Sequence, residues 1–129
     1  MILYHASTLP IEKFYVPYGG LHLGGLYSSL ECALRKLRSH KNVNNAEMVY
    51  VHKCEVDLGR IVLMDDLGSD EAWRDVFSTE YDSVQYVNTY EPDYTPSYMV
   101  WDASRVTIIS CEPIHMDKAE DTIGELYDI

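Results

Sequence analysis

Four groups of residues in this chain carry side chains able to do chemistry. His5 closes a short apolar run, Met1 to Tyr4. An imidazole at the end of a buried strand can hold a bound group by a hydrogen bond, and it can equally be a hydrogen-bonded core residue. Gly19, Gly20, Gly24 and Gly25 frame Leu21, His22 and Leu23 just before a helical pattern begins. Their spacing matches neither the dinucleotide fingerprint nor a P-loop with its lysine. What these glycines permit is a close approach of backbone to a ligand where free N–H groups favour anions, or simply a flexible turn. Glu91 and Asp93 stand two apart in a segment braced by Pro92 and Pro96 and flanked by Tyr90 and Tyr94. A carboxylate held in such a loop can oppose a developing positive charge, as glycosidases do at an oxocarbenium ion; the plain alternative is a solvated acidic turn. His52 and Cys54 share one face of an alternating segment, but a tetrahedral zinc site needs two further ligands and no motif spacing supplies them. No serine sits in a nucleophile elbow and no cysteine in an evident electropositive segment, which sets aside serine- and cysteine-based acyl transfer.

These residues need elements to position them, and hydrophobic periodicity supplies most of these. Met1 to Tyr4 reads as a strand, with Ala6 to Pro10 as a turn after it. Leu30, Ala33, Leu34 and Leu37 recur at helical spacing after Ser28 or Ser29, either of which can cap the helix, while Arg35, Lys36 and Arg38 complement the dipole near its end. Residues 47–57 alternate strictly: Met48, Tyr50, His52, Cys54 and Val56 on one face, Val49, Val51, Lys53 and Glu55 on the other. Ile61 to Met64, Ser83 to Val87, Ser97 to Trp101 and Val106 to Cys111 are further strands, with a short helix around Ala72 to Phe77. The two prolines at 92 and 96 exclude a central strand between Asn88 and Pro96. The acidic segment from Asp117 to Ile129 is expected to be a loose, peripheral helix. This is the pattern of one β-rich α+β domain over residues 1–112 with an acidic tail at 113–129.

Composition narrows the field. A chain of 129 residues with 47% apolar and 24% charged residues is an ordinary single globular domain. Ten Lys and Arg against 21 Asp and Glu leave a net charge of −11, which repels phosphate backbones and disfavours a nucleic-acid partner. Cys32, Cys54 and Cys111 are odd in number and lie in apolar-periodic segments, as small buried hydrophobes do. With no signal-peptide pattern and no run of about 20 apolar residues, a reduced, soluble, cytoplasmic protein is expected. The 11 tyrosines against 2 phenylalanines suit grooves and interfaces.

Taken in order, YHAST on the first strand, GGLHLGGLYSS opening a helix, the MVYVHKCEV strand, and YDSVQYVNTYE followed by SYMVWDASRV resemble the ADP-ribosyltransferase fold. The resemblance is to its His-Tyr-Glu branch, which includes diphtheria toxin and the poly(ADP-ribose) polymerases. The order is also similar to that of small phage ADP-ribosyltransferases, the type I-F anti-CRISPR enzyme among them. The resemblance implies an α+β, ADP-ribosyltransferase-like split β-sheet core and NAD as substrate, cleaved between nicotinamide and ribose. It further implies transfer of ADP-ribose to a protein target, and the acidic surface points to a basic patch on that target. By resemblance His5 fixes a ribose hydroxyl, the Ala6 backbone pairs with the nicotinamide amide beside Ser7 and Gly25, and Tyr27 stacks on nicotinamide. Glu91 is the stabilising carboxylate with Asp93 in reserve, and His22 is a second aromatic candidate. Two departures stand out: Ala6 replaces the family's glycine, and Ser97 occupies the position where the polymerases place their glutamate. A catalytically silent, ligand-binding version of the fold, or an acidic mimic of DNA, are the alternatives.

Overall fold

The structure, a computed structural model, describes residues 1–15, 21–39, 42–43, 45–64, 81–87 and 95–127. The alternating segment at 47–57 is the organising strand of the fold. Strands β1 (Ile2–Ser7), β3 (Met48–Val56) and β7 (Val106–His115) form one antiparallel sheet in the order β1-β3-β7. A second sheet has the order β2-β6-β5-β4, from β2 (Leu21–Leu23), β4 (Ile61–Leu63), β5 (Ser83–Val87) and β6 (Pro96–Val100), with β4 and β5 parallel and the other pairs antiparallel. Helix α1 (Leu26–Arg38) follows β2, and α2 (Met116–Tyr127) follows β7. The chain is therefore an α+β fold, as expected.

Alternation along β3 was legible, but its two halves are buried on opposite faces. Val49 and Val51 lie with Ala6 under Leu30, Ala33, Leu34 and Leu37 of α1 and Ala119 and Ile123 of α2. Cys54 and Val56, on the other face, join Leu3, Phe14, Leu21, Leu23, Tyr98 and Val100 between the two sheets. Lys53 and Glu55 are exposed beyond the reach of the helices. A bulge opposite the Lys53–Cys54 step leaves Ile109 of β7 out of register and 54% exposed. The helix that ends the chain is as expected, but it is not peripheral: Ala119 is fully buried and Ile123 nearly so, and Arg38 of α1 is paired with Glu120 at 3.1 Å.

Several boundaries move for physical reasons. β1 runs on through His5 and Ala6 to Ser7, because pairing with β3 continues to the Ser7–Tyr50 register position. β2 is a three-residue strand inside the glycine-rich stretch, too short to leave a periodic signal. Neither Ser28 nor Ser29 caps α1; Gly25 is its N-cap, and both serines are buried in the first turns, where Ser29 Oγ donates to the Tyr4 carbonyl at 2.8 Å. Pro96 is the first residue of β6, a place where its missing N–H is tolerated in a central strand. The helix expected around Ala72 to Phe77 lies outside the described residues. No helix among the described residues is long and apolar enough to cross a membrane.

Candidate functional site

Among the described residues, one backbone bridge joins the two sheets. Tyr4 of β1 and Gly24, just after β2, exchange backbone hydrogen bonds of 2.8 and 3.0 Å as an isolated bridge. Beyond it β1 and β2 part. The phase of β1 decides what lines the gap: Val56 N–H donates to the Met1 carbonyl at 2.9 Å, so with the β1–β3 register the odd residues of β1 turn their backbone groups to β3 and the even residues turn theirs away. Tyr4 spends its outward groups on Gly24. Ala6, one step on, faces the same gap, and among the described residues nothing bonds to its N–H or carbonyl there. Its side chain is buried against α1 at 4% exposure. An unpaired amide and carbonyl in so enclosed a place are open to a ligand with matching donor and acceptor.

His5 spans the split with its ring. Its Nδ1 lies 2.9 Å from the carbonyl oxygen of His22. A carbonyl only accepts, so Nδ1 carries the hydrogen and, in the neutral ring, Nε2 is left as an acceptor. Burial holds the His5 pKa below its ordinary 6.5, with the positive charge of Lys36 and the neighbouring His52 and His22 acting the same way and the bond to His22 opposing them. A neutral His5 at pH 7 therefore offers Nε2 to a hydroxyl or amide that donates. Phe14 packs edge-on against the His5 ring at 5.2 Å between centroids.

The other expected residues differ in what holds them. Gly25 starts α1 with no side-chain cap, and Tyr27 is half-buried in its first turn. Tyr27 makes no hydrogen bond or ring contact among the described residues. Ser7 turns back on its own chain, its hydroxyl donating to the Leu9 carbonyl. His22 is exposed and hydrogen-bonded through Nδ1 to the Tyr86 hydroxyl at 2.7 Å, with the rings in a T-shaped contact. That engagement holds His22 on the outer face of the second sheet. Glu91, Asp93, Tyr90 and Tyr94 lie outside the described residues. Ser97 is buried at the start of β6, and a Cβ placed on Gly24 would stand 3.2 Å from its hydroxyl. A side chain at residue 24 would crowd Ser97, so the glycine eases this approach of the backbone just past β2.

His52, which its spacing offers only as half of a zinc pair, has a different role in the structure. Its ring is fully buried opposite His5, and both nitrogens are occupied. Nδ1 donates to the His5 carbonyl at 3.0 Å, while Nε2 accepts from the Ile11 N–H at 2.9 Å and meets the Cys111 thiol at 3.4 Å. No nitrogen is left for a metal, and no group of three potential ligands occurs among the described residues. Its neighbour Cys54 is inert: burial pushes the thiol pKa up to about 11. Cys111, expected in the core, is exposed instead, because β7 is an edge strand. No family model, curated protein or solved structure matches this chain.

Proposed function

We propose that this protein is a mono-ADP-ribosyltransferase of the His-Tyr-Glu type, with an ADP-ribosyltransferase-like split-sheet core, that uses NAD and modifies a protein target carrying a basic surface. The observation that carries the reading is the split itself. At the parting of β1 and β2 stand a neutral imidazole with a free acceptor and an unpaired strand amide and carbonyl, with the uncapped start of the Tyr27 helix just after β2. Those groups suit the donor molecule. The Ala6 N–H and carbonyl match the carboxamide of nicotinamide, His5 Nε2 accepts from a ribose hydroxyl, and Tyr27 supplies a stacking face. In the reaction the bond between nicotinamide and ribose breaks as positive charge grows at the anomeric carbon. Glu91 opposes that charge, with Asp93 as the reserve carboxylate, and an acceptor side chain of the target completes the transfer. The surface charge of −11 favours a cationic protein partner over nucleic acid. A cytoplasmic setting, inside the host if the chain is a phage effector, accords with an odd number of unpaired thiols.

Incubation with NAD and cell lysate tests this directly, by following nicotinamide release and the mass of modified proteins. Wild type should release nicotinamide and label a target, and His5→Ala and Glu91→Ala should each lose most of that activity. No release from wild type across lysates overturns the enzyme. One observation favours a second reading: the buried Ser97, packed toward Gly24, offers no carboxylate at the start of β6. If Glu91 and Asp93 do not serve, the fold binds NAD without turnover, and a titration with NAD shows binding while nicotinamide stays attached.

A further inference from the structure

We propose that His52 is a positioning residue for the split, a latch that fixes both the carbonyl of His5 and the segment that covers the His5 ring. The inference rests on the reading of the split as an NAD site. Its grounds are geometric. A backbone carbonyl can only accept and a backbone N–H can only donate, so the bonds to the His5 oxygen at 3.0 Å and from the Ile11 nitrogen at 2.9 Å assign His52 a single tautomer, with hydrogen on Nδ1 and none on Nε2. One ring thereby ties together two pieces of backbone that share no strand pairing: β1 at the residue whose imidazole crosses the split, and the segment after β1. Ile11 belongs to that segment, and so does Phe14, whose ring stands 5.2 Å from His5 and 5.8 Å from His52. The histidine is expensive to bury for packing alone, since an apolar residue of similar volume would fill the space beside His5 and Phe14 without needing three polar partners. What the imidazole adds is direction. It holds the β1 backbone at His5 from one side while the His22 carbonyl holds the His5 ring from the other, so Nε2 of His5 is aimed rather than merely present.

The consequence is specific to ligand binding. Losing the latch lets the β1 backbone at His5 and the Phe14 segment shift, which loosens the bond to the His22 carbonyl that sets the rotamer and tautomer of the His5 ring. The hold on the ribose weakens while the carboxylate chemistry is left alone. His52→Phe keeps the bulk and removes both hydrogen bonds, whereas His52→Asn places an amide where Nδ1 was and so keeps a donor for the His5 carbonyl. Long-range imidazole ¹H–¹⁵N NMR reads the tautomers of His5 and His52 whether or not NAD is a substrate; NAD titration and nicotinamide release give binding and turnover. Wild type should show both rings with hydrogen on Nδ1. In His52→Phe the His5 signal should move toward a tautomer mixture and the half-saturating NAD concentration should rise about tenfold, the effect of one buried hydrogen bond, with kcat held within about threefold. His52→Asn should recover most of both. Should His52→Phe fail to fold, Ile11→Pro, which deletes the donor to Nε2 and leaves the histidine in place, should move the His5 signal in the same direction. A wild-type His52 protonated on Nε2, or a His5 signal unmoved in every folded variant, overturns the latch. Absence of NAD binding by wild type overturns the functional reading instead, and the NMR comparison still decides the latch.

Discussion

Gly24 sits where the two sheets touch, and replacing it with alanine should change sign with the identity of residue 97. The backbone at Gly24 is not in the left-handed region, so alanine is conformationally allowed there. The added Cβ would lie 3.2 Å from Ser97 Oγ, against 3.8 Å from Ser28 Cβ and 3.9 Å from Ser97 Cβ. Only the hydroxyl contact is tight, and Ser97 is buried, so it must give by a few tenths of an ångström inside a packed layer. Overpacking of this size costs about 1–2 kcal/mol, while alanine recovers about 0.4–1 kcal/mol by restricting the unfolded chain. Gly24→Ala alone should therefore destabilise by about 0.5–1 kcal/mol. In a Ser97→Ala background the tight contact is gone and the remaining two are ordinary, so the same change should stabilise by about 0.4–1 kcal/mol. The coupling between the two substitutions should thus exceed about 1 kcal/mol, above the usual error of additivity. Urea unfolding of the four proteins, followed by tryptophan fluorescence, measures it. Additive effects within about 0.3 kcal/mol would show that the hydroxyl does not set the closest approach of β6 to the split.

The depressed pKa of His5 means that the unfolded chain binds a proton there more readily than the folded one, so stability should decline as pH falls below about 6.5 through the lowered folded value. His5→Asn should flatten that decline in urea midpoints taken between about pH 7.5 and 5; equal slopes in the two proteins would contradict the burial argument. At pH 8 a disulfide reagent should label exposed Cys111 quickly and Cys54 only when the protein unfolds, since a thiol raised to about 11 is almost wholly protonated there. Mass spectrometry after brief labelling checks the order. Ile123→Ala should cost about 2–4 kcal/mol, a core-sized loss, because Ile123 packs with Ala119 against α1; a change under about 0.5 kcal/mol would make α2 the peripheral tail that its acidity implies.

What the residues announced on their own was local. β3 declared itself because strict alternation over nine residues leaves no helical reading, and α1 because its leucines repeat at helical spacing. The switch of buried face halfway along β3 was not readable, since it depends on two helices covering one half and a second sheet covering the other. β2 escaped because three residues between glycines carry no period, and its strand partner among the described residues, β6, comes more than seventy residues later. Of the site residues, His5 was singled out by its type and place, and it does cross the split, while Ala6, Gly25 and Tyr27 were named only through the family resemblance, and Glu91 and Asp93 lie outside the described residues. His52 was visible as a companion of Cys54 on an alternating face and as half of an incomplete zinc pair. Its partners are the backbone of His5 and Ile11 and the thiol of Cys111, none of which spacing along one strand can reveal.

The single bridge between Tyr4 and Gly24 also bears on when the split comes into being. Each of its walls is completed by a strand from a distant part of the chain: β1 waits for β3, and β2 for β6, where Leu21 meets Val100. During synthesis the first quarter of the molecule thus emerges with both walls of the gap unsupported, and a three-residue strand has no standing by itself. Closure of the long loop to β6 is the entropically costly event, and pairings of such separation form slowly. The gap is therefore expected to be among the last features to be assembled and, with only two backbone hydrogen bonds, the His5–His22 bond and the apolar cluster of Leu3 with Leu21 and Leu23 across it, to open more readily than the long β1–β3–β7 ladder. Amide exchange at Tyr4 and Gly24 should then outpace exchange in the middle of β3, where one strand anchors both cores at once.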